Sequence, residues 1–142
     1  MKVSEIMTKP VITVEPEASV ETAARLLTHY NIGMLPVCDN RGQVCGLVTD
    51  RDLVIRCLAS GKKPEKTKVR EVMTGQVLSI RADMDTGVAA HLMGRQQVRR
   101  LPVTENGKLC GMLSLGDLAG QEDGVMDAAD ALYDISSNIR RG

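Results

Sequence analysis

The sequence contains neither phenylalanine nor tryptophan, and Tyr30 and Tyr133 are its aromatic residues apart from histidine. Proteins that hold single-stranded nucleic acid stack bases on aromatic rings, so that class lacks its usual equipment here. Positive charge is not in excess either, since 18 Lys and Arg balance 18 Asp and Glu. Binding to phosphate backbones normally draws on a basic surplus, and nucleic acid is therefore a poor candidate partner. No apolar run approaches the ~18 residues of a membrane span. The start, Met1-Lys2-Val3-Ser4-Glu5-Ile6, has no apolar stretch behind it of the kind a signal peptide needs. Cys38, Cys45, Cys57 and Cys110 form no CxxC pair and have no histidine at metal-ligand spacing. They are read as free thiols of a reducing cytoplasm, with no metal site. The common nucleophile, metalloprotease and phosphate-loop motifs are missing. His29 and His91 stand at non-equivalent places with no nucleophile beside them. No catalytic residue is expected, and the chain is read as a non-enzyme.

What is present is eight methionines within a 43% hydrophobic composition over 142 residues. That is ample for an aliphatic core in which Met fills irregular gaps. There is also an internal repeat. Val3-Ser-Glu-Ile-Met-Thr8 recurs as Val69-Arg-Glu-Val-Met-Thr74, and Val11-Ile-Thr-Val14 as Val77-Leu-Ser-Ile80. Ala23-Ala24-Arg25-Leu26 recurs as Ala89-Ala90-His91-Leu92, and Leu35-Pro36-Val37 as Leu101-Pro102-Val103. After one deletion beside Arg41, Cys45-Gly46-Leu47-Val48-Thr49 matches Cys110-Gly111-Met112-Leu113-Ser114, and Asp52-Leu53 matches Asp117-Leu118.

Each copy reads as β-α-β-β-α. Val11 to Val14 is a short β-branched strand after Lys9-Pro10. Ser19 opens a helix with Val20, Ala23, Ala24 and Leu27 at helical spacing, closed around Asn31 to Gly33. Leu35 to Cys38 and Val44 to Val48 are strands about an Asp39-Asn40-Arg41-Gly42 turn. Thr49 then caps a helix from Arg51 to about Ala59, and Asn106-Gly107 is the matching turn of the second copy. The repeats span residues 1–59 and 69–120, joined by a polar, solvated linker at 60–68. Residues 121–142 form a tail in which Met126, Ala129, Leu132, Tyr133 and Ile135 predict one amphipathic helix, Met126 to Ile139.

The blocks Ile-Met-Thr, Leu-Pro-Val and Gly-Leu-Val-Thr-Asp-Arg-Asp-Leu, twice in one order over residues 3 to 118, resemble CBS domains. The pair resembles a Bateman module. The resemblance implies an α/β (α+β) fold of two tandem β-α-β-β-α repeats packed with pseudo-twofold symmetry, here with a C-terminal helix added. It implies clefts between the halves that hold an adenosine-containing ligand such as AMP, ADP or ATP, with no obligatory cofactor. It implies as well a homodimer, and a regulated protein to which occupancy is transmitted. A dinucleotide or S-adenosylmethionine is an alternative ligand. The alternative role is a constitutive interaction or dimerisation module with vestigial clefts.

Thr49-Asp-Arg-Asp52 and Ser114-Leu-Gly-Asp117 each put a hydroxyl and a carboxylate three residues apart at a helix start. That is the pattern of a capping box. The resemblance implies instead that the aspartate binds ribose, and one geometry can serve both. Arg99 and Arg100 precede Leu101-Pro102, where the first copy has Gly33 and Met34. Guanidinium forks suit phosphate oxygens, although such a doublet is more often a pair of solvated surface charges. The expected site is therefore unequal. Ser114, Asp117, Arg100 and Arg99 form the better phosphate site, with Thr8, Val11 and Ile32 as the slot for the base. Thr49 and Asp52, with Thr74, Val77 and Val98, form the weaker one.

Overall fold

The computed structural model describes residues 1–141, with the side chains of residues 123 and 138–141 left aside. Both repeats begin alike. Val3 and Val69 open a single 3₁₀ turn and are fully buried, and Glu71 accepts a hydrogen bond from the Lys68 backbone N–H at 2.7 Å, as Glu5 does from that of Lys2. The two leading segments then cross to the strands of the opposite repeat. Thr8 exchanges backbone hydrogen bonds with Met112 at 2.8 and 3.1 Å, and Thr74 does so with Leu47 at 2.9 and 3.0 Å. Each crossing runs over a glycine, Met7 lying beside Gly111 and Met73 beside Gly46. The compact units consequently cut across the repeats. One is Ile12–Val77; the other is Met1–Val11 with the chain from Leu78 onward.

In the unit Ile12–Val77, helix α1 (Val20–Tyr30) starts where the Ser19 hydroxyl accepts from the Thr22 N–H at 3.0 Å. It ends at Asn31, whose φ of 53° is left-handed; asparagine tolerates that region better than most residues. Strands β1 (Met34–Cys38) and β2 (Val44–Thr49) pair antiparallel in register Leu35↔Val48. Their turn is held by Asp39, whose carboxylate accepts from the Arg41 and Gln43 N–H groups at 2.9 and 3.0 Å. The expected strand over Val11 to Val14 shrinks to one parallel bridge, Val14 to Val37. Pro10 and Pro16 bracket this stretch and supply no N–H to a ladder. After β2, α2 (Asp50–Asp52) runs on directly into a π-helical stretch, Leu53–Leu58. The apolar core is Val14, Val20, Ala23, Leu27, Leu35, Val37, Val48, Leu53, Cys57, Val69 and Val72.

The linker is more than solvated chain. Thr67 is 5% exposed and donates to the Lys63 carbonyl at 2.8 Å, while Thr67 and Pro64 accept from the first N–H groups of α1. Glu17 binds Lys68 at 2.7 Å and Arg70 at 2.9 Å, and the Lys68 hydrogen bond holds its carboxyl below the usual range. Unpaired N–H groups at a helix start need acceptors, and residues 64 and 67 provide them.

In the other unit, β3 (Ile80–Arg81) lies parallel to β4 (Arg100–Glu105), which pairs antiparallel with β5 (Lys108–Ser114). Asn106 and Gly107 turn the hairpin with φ of 53° and 79°, the two positive values of a type I′ turn. Helices α3 (Thr86–Gln96), α4 (Leu115–Ala119) and α5 (Val125–Arg141) complete it. Its core gathers Val3, Ile80, Ala89, Ala90, Met93, Leu101, Val103, Leu113, Leu118 and Ala128, with methionine as the large flexible filler.

Helix α5 presents a different face from the one its largest side chains predict. Ala128, Ala131 and Ile135 are buried, whereas Met126 is 71% and Tyr133 70% exposed. The cause is close approach to α3. A Cβ at Gly94 would stand 3.3 Å from the Ala131 Cα, so small residues, not large ones, fit that seam.

All four cysteines are free. Burial, with Cys45 and Asp39 nearby, pushes the Cys38 thiol up to about 11. At pH 8 its thiolate fraction is then roughly one in a thousand, and the thiolate is the nucleophile. Cys38 is expected to resist iodoacetamide in the folded protein at pH 8 and to react on denaturation. Equal labelling of folded and denatured chains, read by peptide mass, would show that β1 and β2 open freely.

Candidate functional site

Both hydroxyl–carboxylate pairs are capping boxes in the folded chain. The Ser114 hydroxyl accepts from the Asp117 N–H at 3.0 Å and the Asp117 carboxylate accepts from the Ser114 N–H at 2.9 Å. Thr49 and Asp52 do the same at 3.1 and 2.9 Å. Beyond this the two pairs part company. Thr8, held in place by its bonds to Met112, donates its hydroxyl to Asp117 at 3.2 and 3.3 Å. Asp52 instead faces Arg56 at 3.7 Å, and the same guanidinium donates to the Val72 and Met73 carbonyls at 3.1 and 3.2 Å. A hydroxyl thus adjoins one aspartate and a cation the other.

The arginine doublet falls where Ser114 ends its strand. Arg100 is the ladder partner of Ser114, and the Leu115 N–H donates to the Arg99 carbonyl at 3.0 Å. Both arginines are exposed, and among the described residues neither is in an ion pair. With Ser114 they line a groove of about 570 Å³, whose other lining side chains are apolar, among them Leu115, Ala119, and Val125, Ala129 and Leu132 of α5. At the matching places the other unit has Gly33 and Met34 for the arginines and Asp50 for Leu115. A carboxylate there repels an anion, while the doublet attracts one.

The structure therefore brings Thr8, Arg99, Arg100, Ser114 and Asp117 into one unit, with half-buried Val11, and Thr49, Asp52, Thr74 and Val77 into the other. Ile32 and Val98 belong to units opposite to the residues with which they were grouped. Two participants escape the reading of the sequence: Arg56, which falls opposite Gln121 in the repeat, and α5, which walls the groove. The repeat offset alone was enough to mark Arg56 as unmatched.

A profile of the CBS domain matches residues 3–58 and again 69–124. The chain belongs to the CBS-domain family. Among relatives of this CBS pair, YlbB, an uncharacterized protein of Bacillus subtilis, is 39% identical over 141 residues, covering 99% of this chain and 95% of its own. The crystal structure of Hypoxic Response Protein I with two coordinated zinc ions superposes with a TM-score of 0.79 at 29% identity, covering 85% of this chain and 98% of that one. The CBS domain pair of protein MJ0100, in complex with 5′-methylthioadenosine and S-adenosyl-L-methionine, gives 0.75 at 28% identity, covering 88% and 98%. The α+β architecture of two small sheets with flanking helices is thus that of CBS-domain pairs. Among the described residues of this pair, no three His, Cys, Asp or Glu side chains gather where they could hold a metal ion. No helix among them is long and apolar enough to cross a membrane.

Proposed function

We propose that this CBS pair is a cytoplasmic, non-catalytic sensor, a homodimer that binds an adenine nucleotide and passes its occupancy to a regulated protein. The observation that carries the reading is that Ser114, which lines the groove with Arg99 and Arg100, is joined by hydrogen bonds to Asp117 and through it to Thr8. A carboxylate already accepting from a hydroxyl at 3.2 Å can accept from ribose hydroxyls in the same way, and two guanidiniums suit phosphate oxygens. The adenosine compounds held by the MJ0100 pair support the class of ligand. The arginines favour its anionic members. S-Adenosylmethionine carries a sulfonium and an ammonium against one carboxylate, and such a cation gains nothing beside Arg99 and Arg100. Thr49, Asp52, Thr74 and Val77, with Asp50 and Arg56 among them, form the weaker site.

The test is a thermal-shift panel of AMP, ADP, ATP, 5′-methylthioadenosine and S-adenosylmethionine. A ligand at a hundred times its dissociation constant stabilises the folded state by about 2.7 kcal/mol, which raises the midpoint by several degrees. The expected order is ATP and ADP above AMP, with 5′-methylthioadenosine and S-adenosylmethionine last. Asp117→Ala and Arg100→Ala are each expected to abolish most of the rise while leaving the unliganded midpoint within a few degrees. A panel that is flat, or indifferent to both substitutions, removes the reading.

The exposed Met126 and Tyr133 on α5 support a second reading, a constitutive interaction module. Because Ala128 belongs to the core, deleting the tail would damage the fold. Met126→Glu with Tyr133→Ser is the cleaner probe of that face.

A further inference from the structure

Asp117 and Asp52 stand at the same place in the two repeats, yet they meet different neighbours. Each gives one carboxylate oxygen, Oδ2, to the backbone N–H of its capping partner, at 2.9 Å in both cases. The other oxygen, Oδ1, is where they differ. That of Asp117 receives the Thr8 hydroxyl at 3.2 Å, a neutral group that can rotate and can accept as well as donate. That of Asp52 faces the Arg56 Nε at 3.7 Å. A guanidinium only donates, so a hydroxyl turned toward it finds no acceptor.

The guanidinium is also fixed from its other side. Its Nη1 donates to the Val72 and Met73 carbonyls at 3.1 and 3.2 Å, immediately before Thr74, the residue that matches Thr8. Arg56 thereby bridges Asp52 and the segment that leads to Thr74. An exposed ion pair alone holds little; the two carbonyls are what anchor this one. The helices explain why the second repeat has no counterpart. There α4 ends at Ala119, before the uncharged Gln121 that matches Arg56. The stretch after Asp52 runs on through Leu58 with π-helical bonding, the Ala59 N–H donating to the Val54 carbonyl at 2.8 Å, and carries Arg56 one turn beyond Asp52. Such turns are rare and gather at functional sites.

We propose that Arg56 is a latch that closes the Thr49–Asp52 site to a ribose. Both ribose hydroxyls must donate to such an aspartate, and here its free oxygen is held against a cation that moves only by giving up two carbonyl bonds. Asp50 disfavours a phosphate at this site; Arg56 disfavours the sugar. The inference rests on the nucleotide reading of the two aspartates and names the residue that decides how many nucleotides one chain takes.

The experiment is isothermal titration of the full chain with adenosine, which has both ribose hydroxyls and no phosphate for Asp50 to repel. All chains carry Asp117→Ala to silence the other site. Adding Arg56→Gln, the residue type at position 121, is expected to tighten adenosine binding at least tenfold, the gain when a site open in about one molecule in ten becomes always open. A further Asp52→Ala should abolish the gain, and 2′,3′-dideoxyadenosine should show none. Circular dichroism accompanies every variant, and Arg56→Met, which keeps an apolar stem, carries the measurement if the lost carbonyl bonds unfold the first. An arginine that merely supports the fold predicts equal or weaker binding. That result in both variants, or a gain that survives Asp52→Ala or is shared by the dideoxynucleoside, overturns the latch and leaves the Asp117 site standing. A gain that requires Asp52, in a protein whose wild type ignores every nucleotide of the panel, keeps the latch and removes the sensor.

Discussion

Gly46→Ala is expected to cost about 3 kcal/mol, and Gly111→Ala, at the equivalent place in the other repeat, about 1. A Cβ on Gly46 would stand 2.5 Å from the Thr74 carbonyl oxygen and 2.9 Å from the Met73 sulfur. The carbonyl belongs to the backbone pair Thr74–Leu47, so it moves only if those hydrogen bonds, at 2.9 and 3.0 Å, give way. A Cβ on Gly111 also comes within 2.5 Å of a neighbour, but that neighbour is the Met7 sulfur. An unbranched thioether can turn aside into another rotamer. The same substitution at the same repeat position thus meets a rigid obstacle in one case and a pliable one in the other. Urea unfolding measures both. Equal losses for the two variants, or a larger loss at Gly111, would show that backbone crossing is not what these glycines permit.

Leu35→Ala and Leu113→Ala are each expected to remove 2–5 kcal/mol, the ordinary range for emptying a packed leucine site. Both leucines have no exposed surface, and each lies in the strand pair at the centre of its own core. Against a total stability of roughly 5–15 kcal/mol, a loss of that size lowers the midpoint by on the order of 10 °C. Calorimetry gives the magnitude, and hydrogen exchange shows which core has loosened. Protection should fall first in β1 and β2 for Leu35→Ala, and in β4 and β5 for Leu113→Ala. A loss below about 1 kcal/mol in either variant would mean that the site collapses around the missing atoms.

The local elements were legible because each is set by a few neighbouring residues. Ser19 before Val20, Asn31 after Tyr30, the Asn106-Gly107 pair and both capping boxes all stand where the residue types place them. The exchange of leading segments is not set locally, and the grouping of Thr8 with Ser114 and Asp117, and of Thr74 with Thr49 and Asp52, came from the family resemblance instead. Val3 to Thr8 and Val69 to Thr74 are nearly the same sequence, so nothing local says which strand each should join; Gly46 and Gly111 mark where a segment crosses, but not whose. The face of α5 was misread because periodicity rewards the largest apolar side chains. The α3–α5 seam rewards the smallest, as the Gly94 and Ala131 approach shows. In the candidate site, the doublet Arg99 and Arg100 stood out by comparison with Gly33 and Met34. The role of Arg56 depends on carbonyls 16 and 17 residues away, and no short window contains it.

The division of the chain also sets an order in time. Residues 12–77 are one continuous stretch, so a nascent chain can assemble that unit as soon as they have left the ribosome. The first eleven residues emerge earlier and have nothing to join, because the strand that receives Thr8 carries Met112. At ordinary elongation rates the wait is roughly 5–20 s. Throughout it the apolar side chains of Val3, Ile6 and Met7 remain open to proteases and chaperones. Val3, Ile6 and Met7 are thus made before residues 12–77 yet sheltered after them, and damage to either of the two stretches 1–11 and 78–141 strikes the same unit.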